Sequence, residues 1–243
     1  MKQGVNRLYN DLAWLWPYWG DVEEYRRESE LFAELIKQHA QIEVRSLLDM
    51  GCGGGKNAFH LKKHFEVTGI DISEPMLSLA KKLNPECTFL IEDMRKFNLS
   101  RQFDSVFIND SVTYMITKED LLKAFRSAYM HLRAGGVMIT YPDHCKDTFR
   151  QNKTEVSTSK TDTMVITFIE NNYDPVPDDD TYESVFIFLI RENGELRIEH
   201  DFHVCGLFTL DVWRALLQKA GFEVHEESWG EGAEGLPVFA CVK

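Results

Sequence analysis

The sequence has no excess of basic residues, which limits the partners that the protein can bind. Among 243 residues, 27 are lysine or arginine and 39 are aspartate or glutamate, so the formal net charge is −12 at pH 7. Proteins that bind nucleic acids use clusters of lysine and arginine to displace counterions from the phosphate backbone. We therefore expect no nucleic-acid partner.

Long hydrophobic runs and paired cysteines are also absent. No stretch approaches the roughly 18 uninterrupted apolar residues that a membrane span requires, and the start MKQGVNRLYN lacks the apolar segment of a signal peptide. The five cysteines are scattered and form no CxxC pair, which disfavours a disulfide framework and a zinc site. These absences predict a cytoplasmic protein with no membrane partner and no bound metal.

The residues that are present can fill a core. Hydrophobic residues make up 44% of the chain and aromatic residues 12%, and its length suits one large domain or one domain with an insertion. Aromatic residues are concentrated between Val5 and Trp19, and a helical pattern begins at Asp21, a suitable N-cap. We interpret residues 1–40 as a helical lid, although ordinary core packing would also explain the aromatic residues.

Strand and helix patterns alternate between Arg45 and Tyr141. The helical stretches are Lys56–Lys63, Glu74–Leu83 and Lys118–Leu132, and the apolar runs around them are RSLLDM, EVTGID, TFLIED, DSVFIN and VMITYP. Short apolar runs with flanking Gly, Asp or Asn are typical of strands. This alternation predicts βαβ units and a largely parallel, doubly wound α/β sheet.

The alternation stops after Pro142. Residues 163–169, 182–191 and 195–205 have strand patterns without intervening helices, which predicts an antiparallel insert at 144–208 over the active-site edge of the sheet. A helix and two strands complete a single domain over 1–243. The segment 182–190 is apolar on both faces, so we expect either the lid or the second subunit of a homodimer to cover it.

A glycine-rich turn, Asp49-Met50-Gly51-Cys52-Gly53-Gly54-Gly55, carries the strongest functional signal. Glycine permits positive φ angles and lets a ligand approach the backbone closely. Asp71 ends the next strand, 20 residues after Gly51, where a carboxylate can bind both ribose hydroxyls. A dinucleotide site would need glycine in place of Lys56, and Asp49 would repel a pyrophosphate. The residues therefore favour a nucleoside that carries an amino acid.

Four ordered motifs resemble those of the class I S-adenosylmethionine-dependent methyltransferases. They are LLDMGCGGG at 47–55, GIDIS at 69–73, Glu92-Asp93-Met94, and Phe103-Asp104-Ser105-Val106. LRAGGV at 132–137 is similar to the family's turn before the fifth strand, with Ala134 where proline is usual. The resemblance covers residues 45–142 closely. It implies a Rossmann-like, seven-stranded sheet with an antiparallel last strand, and S-adenosylmethionine as cofactor.

The resemblance also implies which residues bind the methionine part of the cofactor. Gly51, Cys52 and Gly53 are expected to line it, and Asp49 is expected to orient the loop or bind the amino group. An N-terminal aromatic residue often covers the carboxylate end in members that act on small molecules. Tyr9 is the candidate for that position.

The resemblance further implies which residues contact the nucleoside part of the cofactor. Asp71 is expected to bind the ribose hydroxyls, while Ile72 and Met76 lie against the adenine or the ribose. Asp93 is expected to accept a hydrogen bond from the adenine amino group, beside the Met94 backbone.

The acceptor side is less well specified by the sequence. Asn109 and Asp110 follow the fourth strand, where the family contacts the methionine amine and the acceptor. In ELRIEHDFHVC, a period of two places His200 on the apolar face and His203 on the wet face. His200 and Tyr114 are therefore the candidates to contact the acceptor or take its proton.

Methyl transfer from a sulfonium is an in-line displacement that depends mainly on positioning. The segment 200–222 is similar to sugar N-methyltransferases and to glycine or sarcosine methyltransferases, which favours a small amine or hydroxyl acceptor. Three alternatives remain: an RNA or protein methyltransferase, a non-catalytic S-adenosylmethionine-binding subunit, and a nicotinamide enzyme. The absence of a basic patch disfavours the first, and Lys56 with Asp49 disfavours the last.

Overall fold

A mixed β-sheet forms the centre of the protein, which the computed structural model describes over residues 6–228 and 236–243. Within these residues the sheet has seven strands: β1 (Ser46–Met50), β2 (Glu66–Asp71), β3 (Thr88–Ile91), β4 (Phe103–Ile108), β5 (Leu132–Thr140), β10 (Glu223–Ser228) and β11 (Pro237–Val242). Their order is β10-β11-β5-β4-β1-β2-β3. Strands β1 to β5 are parallel, and β11 is antiparallel to both neighbours. The predicted α/β architecture with an antiparallel last strand is confirmed.

Helices cover both faces of this sheet. They are α1 (Arg26–His39), α2 (Lys56–Leu61), α3 (Glu74–Leu83), α4 (Lys118–His131) and α5 (Leu210–Ala220). The apolar residues of α1, α2 and α3 share one buried cluster with the sheet, and those of α4 and α5 share a second. Ser73, Thr117 and Thr209 cap α3, α4 and α5, because each side-chain oxygen accepts a hydrogen bond from the backbone N–H three residues later.

The strand order reverses beside β1. The chain builds outward through β2 and β3 on one side, then crosses to β4 and β5 on the other side. Because the connections leave in opposite directions at this point, the carboxyl ends of the strands border an open crevice. The glycine-rich turn after β1 and Asp71 at the end of β2 both lie here.

A second, antiparallel sheet follows β5 in the chain. Its strands within the described residues are β6 (Lys153–Lys160), β7 (Met164–Tyr173), β8 (Thr181–Glu192) and β9 (Glu195–Gly206), paired in that order. The sequence predicts only the last three. β6 reads KTEVSTSK and is exposed along nearly its whole length, so it carries no hydrophobic alternation that would identify it.

The N-terminal segment packs on one face of the second sheet. It consists of 3₁₀ helices at Arg7–Tyr9, Ala13–Tyr18 and Val22–Tyr25, the last with Asp21 as its N-cap. Its buried leucines join a cluster with strands β7 and β8: Leu8, Leu12, Leu15, Ile166, Phe168, Phe186, Phe188 and Ile190. This packing covers one face of β8, while the opposite face stays half-buried. No helix in the described segments has the length and hydropathy needed to cross a membrane.

Candidate active site

A cavity of about 570 Å³ opens at the carboxyl ends of β1, β2 and β4. The residues predicted to bind the cofactor or the acceptor line it, with the exceptions of Met76 and His200. They are Tyr9, Asp49, Gly51, Cys52, Gly53, Asp71, Ile72, Asp93, Met94, Asn109, Asp110 and Tyr114. Residues from separate strands and from the N-terminal segment therefore meet at one place, as the strand order requires.

The glycine-rich turn forms the floor of the cavity, and its conformation depends on glycine. Gly51, Gly53 and Gly55 have φ angles of 77°, 51° and 79°, in the left-handed region. A Cβ on Gly51 would overlap the Ser111 side chain, and one on Gly54 would overlap the Trp16 ring. The turn is thus packed closely from both sides.

Three buried polar atoms on the described lining of this cavity lack hydrogen-bond partners: Asp49 Oδ2, Asn109 Oδ1 and Trp16 Nε1. Asp49 is 3% exposed, and its Oδ2 has no hydrogen-bond partner. Burial, with a smaller effect of the nearby Asp71, raises the pKa of Asp49 to about 8. Trp16 lies against the glycine turn, and its Nε1–H is also unpaired. Buried acceptors and a buried donor without partners are unusual in a folded protein, and they indicate a ligand that both donates and accepts hydrogen bonds.

Asp71 is fixed at the end of β2 by the backbone around it. Its Oδ2 accepts a hydrogen bond from Gly53 N–H at 2.8 Å, and its Oδ1 accepts one from Ser73 N–H at 2.8 Å. Burial nevertheless raises the pKa of Asp71 above its usual range. Each oxygen keeps further acceptor capacity toward the cavity, since a carboxylate offers about four lone-pair sites.

The far end of the cavity is bordered by an apolar residue and an acidic one. Ile72 is 71% exposed, which leaves its side chain open to a flat ligand group. Asp93 accepts hydrogen bonds from Arg95 through both of its oxygens, with the shortest contact at 2.6 Å. The hydrogen bonds from Arg95 lower the pKa of Asp93, so this carboxyl group is ionised at neutral pH.

Met76 does not line the cavity, contrary to the prediction that it lies against adenine or ribose. Its side chain is fully buried behind Gly53, and its Cε lies 3.5 Å from the point that a Cβ on Gly53 would occupy. The reason is the amphipathic character of α3, which buries Met76 together with Leu77 and Ala80.

Asn109 and Asp110 meet Glu28 of α1 on the acceptor side. Glu28 Oε1 accepts hydrogen bonds from Asn109 at 2.7 Å and from Asn57 at 3.2 Å. Burial and the proximity of Asp110 raise the pKa of Glu28 to about 8. Asp110 is open to the cavity, but the surrounding protein and Asp143 raise its pKa to about 7. Glu28 is not predicted from the sequence, because nothing in an amphipathic helix marks one of its glutamates as inward-facing.

A chain of hydrogen bonds runs from the cavity wall into the second sheet. The Tyr9 and Tyr114 hydroxyls lie 2.8 Å apart, and the Tyr114 hydroxyl lies 2.8 Å from Nδ1 of His203. Nε2 of His203 lies 2.8 Å from Oδ2 of Asp201, which also accepts from Leu8 N–H. Burial opposes ionisation of Asp201, but these hydrogen bonds lower its pKa overall. Asp201 is therefore ionised and accepts from His203 Nε2–H, which leaves Nδ1 to accept from Tyr114.

The prediction that His200 lies on the covered face of β9 is wrong. His200 is exposed and does not border the cavity, whereas His203 is fully buried. The period of two is correct, but the phase is inverted. The buried face carries Asp201 and His203, which satisfy each other, while Ile198 on the opposite face is 59% exposed.

Lys56 connects the start of α2 to the N-terminal segment. Its ammonium donates to the backbone carbonyls of Trp16 at 3.0 Å, Trp19 at 2.5 Å and Gly20 at 2.9 Å. Burial lowers the pKa of Lys56 to about 8. In the sequence, Lys56 serves only to disfavour a dinucleotide site, and nothing near it in the chain predicts this attachment.

Comparison with known proteins identifies the family. Residues 47–136 match a family model described as a methyltransferase domain. The chain is 30% identical to a dTDP-3-amino-3,4,6-trideoxy-alpha-D-glucopyranose N,N-dimethyltransferase from Streptomyces venezuelae, over 91% of this chain and 93% of that protein. The chain belongs to the class I S-adenosylmethionine-dependent methyltransferases.

Two solved structures share this fold along nearly the whole chain. Streptomyces venezuelae DesVI superposes with a TM-score of 0.83 at 28% identity, covering 99% of both chains. The sugar N-methyltransferase KedS8 from a Streptoalloteichus species has the same fold, with a TM-score of 0.86, 23% identity, and coverage of 100% of this chain and 95% of its own.

The cavity fits the cofactor that this methyltransferase uses. The methionine part of S-adenosylmethionine carries an ammonium and a carboxylate, and the cavity offers an unpaired acceptor on Asp49 and an unpaired donor on Trp16. Asp71 offers carboxylate oxygens for hydroxyl groups, and Ile72 an apolar surface for a flat ring. The donor set and the shape both suit the group.

Proposed function

We propose that this methyltransferase transfers the methyl group of S-adenosylmethionine to an amino nitrogen of a small molecule. The observation that carries the proposal is the chain from Tyr9 through Tyr114 and His203 to Asp201, which begins at the cavity wall and can accept a proton. An amine that arrives protonated must lose a proton before its lone pair can attack. The similarity to an amino-sugar N,N-dimethyltransferase supports the same acceptor chemistry.

The proposed cofactor contacts follow the unpaired atoms. Asp49 holds the ammonium of the methionine part, Trp16 donates to its carboxylate, and Asp71 binds the ribose hydroxyls. Asp93 accepts from the adenine amino group, and Ile72 packs against the ring. Bound in this way, the cofactor supplies an electrophilic methyl group on a sulfonium sulfur.

The reaction needs positioning and one proton acceptor. The acceptor nitrogen would take the methyl group by in-line displacement from the sulfonium sulfur, which would leave as a neutral thioether. The Tyr9 and Tyr114 phenols pass the proton of the amine to Nδ1 of His203. Burial raises the pKa of both phenols, so they remain protonated and act as relays. Asp201 stabilises the imidazolium that forms.

The N-terminal and inserted segments are proposed to enclose this reaction. Residues 1–40 would form a lid, since Tyr9 and Trp16 border the cavity and Lys56 fastens the segment around Trp19. Residues 144–208 would form a roof, since β9 supplies His203. Together with the main sheet they make a single methyltransferase domain.

We also propose a homodimer in the cytoplasm. The face of β8 opposite the N-terminal segment carries half-buried Val185, Ile187 and Leu189, next to the exposed Ile198 of β9. We propose that a second copy of the chain covers this face, and sedimentation velocity measures whether the protein is a dimer in solution. The cysteines Cys52, Cys87, Cys145, Cys205 and Cys241 are all unpaired, which suits a reducing compartment.

Mass spectrometry of the products tests the acceptor chemistry. The purified protein is incubated with S-adenosylmethionine and with small amines, each paired with an alcohol of the same carbon skeleton. We expect methylated amine and S-adenosylhomocysteine in equal amounts, and no product from the alcohols. Methylation of the alcohols alone would contradict the amine proposal. Binding of the cofactor without transfer to any acceptor would favour a non-catalytic subunit.

A further inference from the structure

A second cavity of about 590 Å³ adjoins the cofactor cavity. Tyr25 and Asp110 border both cavities, so a molecule in the second one reaches the region of the cofactor. The second cavity lies between the carboxyl ends of β4 and β5, the start of α1, and strands β6 and β7. On the proposed function, this is where the methyl acceptor enters.

The walls of this acceptor cavity are strongly acidic. Its carboxylates are Glu24, Glu28, Asp110, Asp143, Glu155 and Glu170. Two basic residues, Lys153 and His144, border the described part of this wall. Lys153 pairs with Glu155 at 2.8 Å, and the His144 ring contacts the amide of Asn172. The wall therefore has more acidic than basic groups, and a bound cation would favour the ionised forms of Glu28 and Asp110, whose pKa values are raised to about 8 and about 7.

The innermost carboxylates have neutral hydrogen-bond donors. Glu28 accepts from Asn109, Asn57 and Tyr141. Glu170 Oε1 accepts from the Asn172 amide at 3.1 Å and from the Ser184 hydroxyl at 3.3 Å. Neutral donors hold these groups in place without supplying a positive charge, and a cationic ligand would add stronger, charge-assisted hydrogen bonds.

An unpaired acceptor provides a second, independent indication. Asn172 is 4% exposed, borders the acceptor cavity, and has no hydrogen-bond partner for its Oδ1. Its Nδ2 donates to Glu170, which fixes the orientation of the amide. Buried amide oxygens are normally satisfied, so this atom indicates a ligand that donates an N–H or O–H.

We propose that the acceptor is a small amine with at least two amino groups and no phosphate. One amino group lies near Asp110 for methylation, and another is bound by Glu170 and Asn172. The similar protein from Streptomyces venezuelae is named for a dTDP-linked sugar, which contains a diphosphate. A diphosphate in this cavity would meet several carboxylates and be repelled. On this proposal, the acceptor of the present chain differs in charge from the substrate for which that relative is named.

Two kinds of molecule share this chemistry, and the assay separates them. Linear diamines such as putrescine and cadaverine form one arm, and cyclic diamino sugars and diaminocyclitols form the other. A dTDP-linked amino sugar and the mono-N-acetylated form of each amine serve as comparisons. We expect kcat/KM for the dicationic amines of one arm to exceed that for their acetylated forms by about 10- to 100-fold, because one charged hydrogen-bond site is lost.

The Glu170→Gln variant tests the wall directly, with Glu192→Gln at the exposed end of β8 as its control. We expect Glu170→Gln to raise KM for the dication about 10-fold or more, to change kcat little, and to leave the affinity for S-adenosylmethionine unchanged. The control keeps all three wild-type values. Circular dichroism and thermal unfolding show that both variants are folded.

Each contrary outcome has a separate meaning. A higher kcat/KM for the dTDP-linked sugar than for every free amine would overturn the cationic acceptor and leave the amine methyltransferase proposal intact. An unchanged KM in Glu170→Gln would also overturn it. The absence of transfer to any amine, by a protein that binds the cofactor, would overturn both proposals.

Discussion

At the scale of single residues, the most informative groups are polar side chains inside the protein. Tyr9 and Tyr114 border the cavity, while His203 and Asp201 lie fully buried behind them. Burying a histidine and an aspartate costs free energy unless they satisfy each other, and here they do so at 2.8 Å. The two buried side chains therefore satisfy each other, and Nδ1 of His203 remains available to the Tyr114 hydroxyl, which lies on the cavity side.

The His203→Gln variant tests whether this chain accepts a proton. We expect kcat to fall about 100-fold near neutral pH, since general base catalysis contributes that much or more. The loss shrinks as the pH approaches the pKa of the acceptor amine, because the free amine then needs no proton acceptor. Steady-state kinetics between neutral and alkaline pH measure this difference.

The His200→Gln variant is the matched control, because it makes the same change on the same strand at an exposed position. It keeps the wild-type pH profile. A constant loss in His203→Gln at every pH would show a structural role in place of proton transfer.

The two histidines also show a limit of sequence reasoning. A period of two divides β9 into an apolar face with His200 and a polar face with His203, and hydrophobicity alone selects the apolar face as the buried one, whereas Asp201 and His203 are the buried residues. The choice depends on partners far away in the sequence. Tyr114 lies 89 positions before His203, and their contact exists only in the folded chain.

At the scale of elements, Lys56 joins α2 to the N-terminal segment. Three backbone carbonyls, those of Trp16, Trp19 and Gly20, converge on its ammonium. In the same segment, the Trp16 ring lies against Gly54, and the main-chain carbonyl oxygen of Tyr9 accepts a hydrogen bond from the Ser73 hydroxyl. The proposed lid is therefore fastened at the glycine turn and at the start of α3.

The Lys56→Met variant tests this attachment, because methionine keeps much of the side-chain volume and loses the charge. We expect faster hydrogen exchange in residues 6–20 and an affinity for S-adenosylmethionine that is about 10-fold lower, since several charged hydrogen bonds are removed. Exchange mass spectrometry and calorimetry measure these two effects. The exposed Lys81→Met on α3 serves as the control. Wild-type exchange in Lys56→Met would contradict the proposed attachment.

The alternating elements around the glycine turn are predicted well from the sequence. α3 is predicted at Glu74–Leu83 and found there, because its cap, its apolar spacing and its length agree. β6 is not predicted from the sequence, because a polar edge strand is fixed by pairing with β7 and not by its own pattern. The contact of Glu28 with Asn109 is likewise not predictable from the sequence, because only the folded chain brings the two residues together.

At the scale of the whole molecule, the excess of acidic residues includes carboxyl groups inside the protein. The net charge is −12, and Asp49 and Glu28 each have a pKa raised to about 8 by burial. A carboxyl whose folded pKa lies above its unfolded value stabilises the fold fully below the unfolded pKa. That contribution is lost as the pH rises through the folded pKa. The ligand-free protein should thus lose stability between about pH 4 and pH 8.

Thermal unfolding of the free and the cofactor-bound protein checks this pH dependence. For Asp49, the expected loss of unfolding free energy between pH 6 and pH 8 is roughly 2 kcal/mol. The Asp49→Asn variant flattens the decline, while Asp178→Asn in an exposed turn does not. Because the cofactor's ammonium favours the ionised carboxylate, S-adenosylmethionine raises Tm more at pH 8 than at pH 6. Parallel declines in Asp49→Asn and the wild type would contradict this assignment.

The assignment of the cofactor cavity is the central claim, and calorimetric titration with S-adenosylmethionine tests it most directly. Wild type, Asp71→Asn and the control Asp178→Asn are titrated under the same conditions, and each is titrated separately with NAD. We predict that wild type and control bind S-adenosylmethionine equally, that Asp71→Asn binds it about 10- to 100-fold more weakly, and that none of them binds NAD. Wild-type affinity in Asp71→Asn, or binding of NAD in place of S-adenosylmethionine, would contradict the assignment.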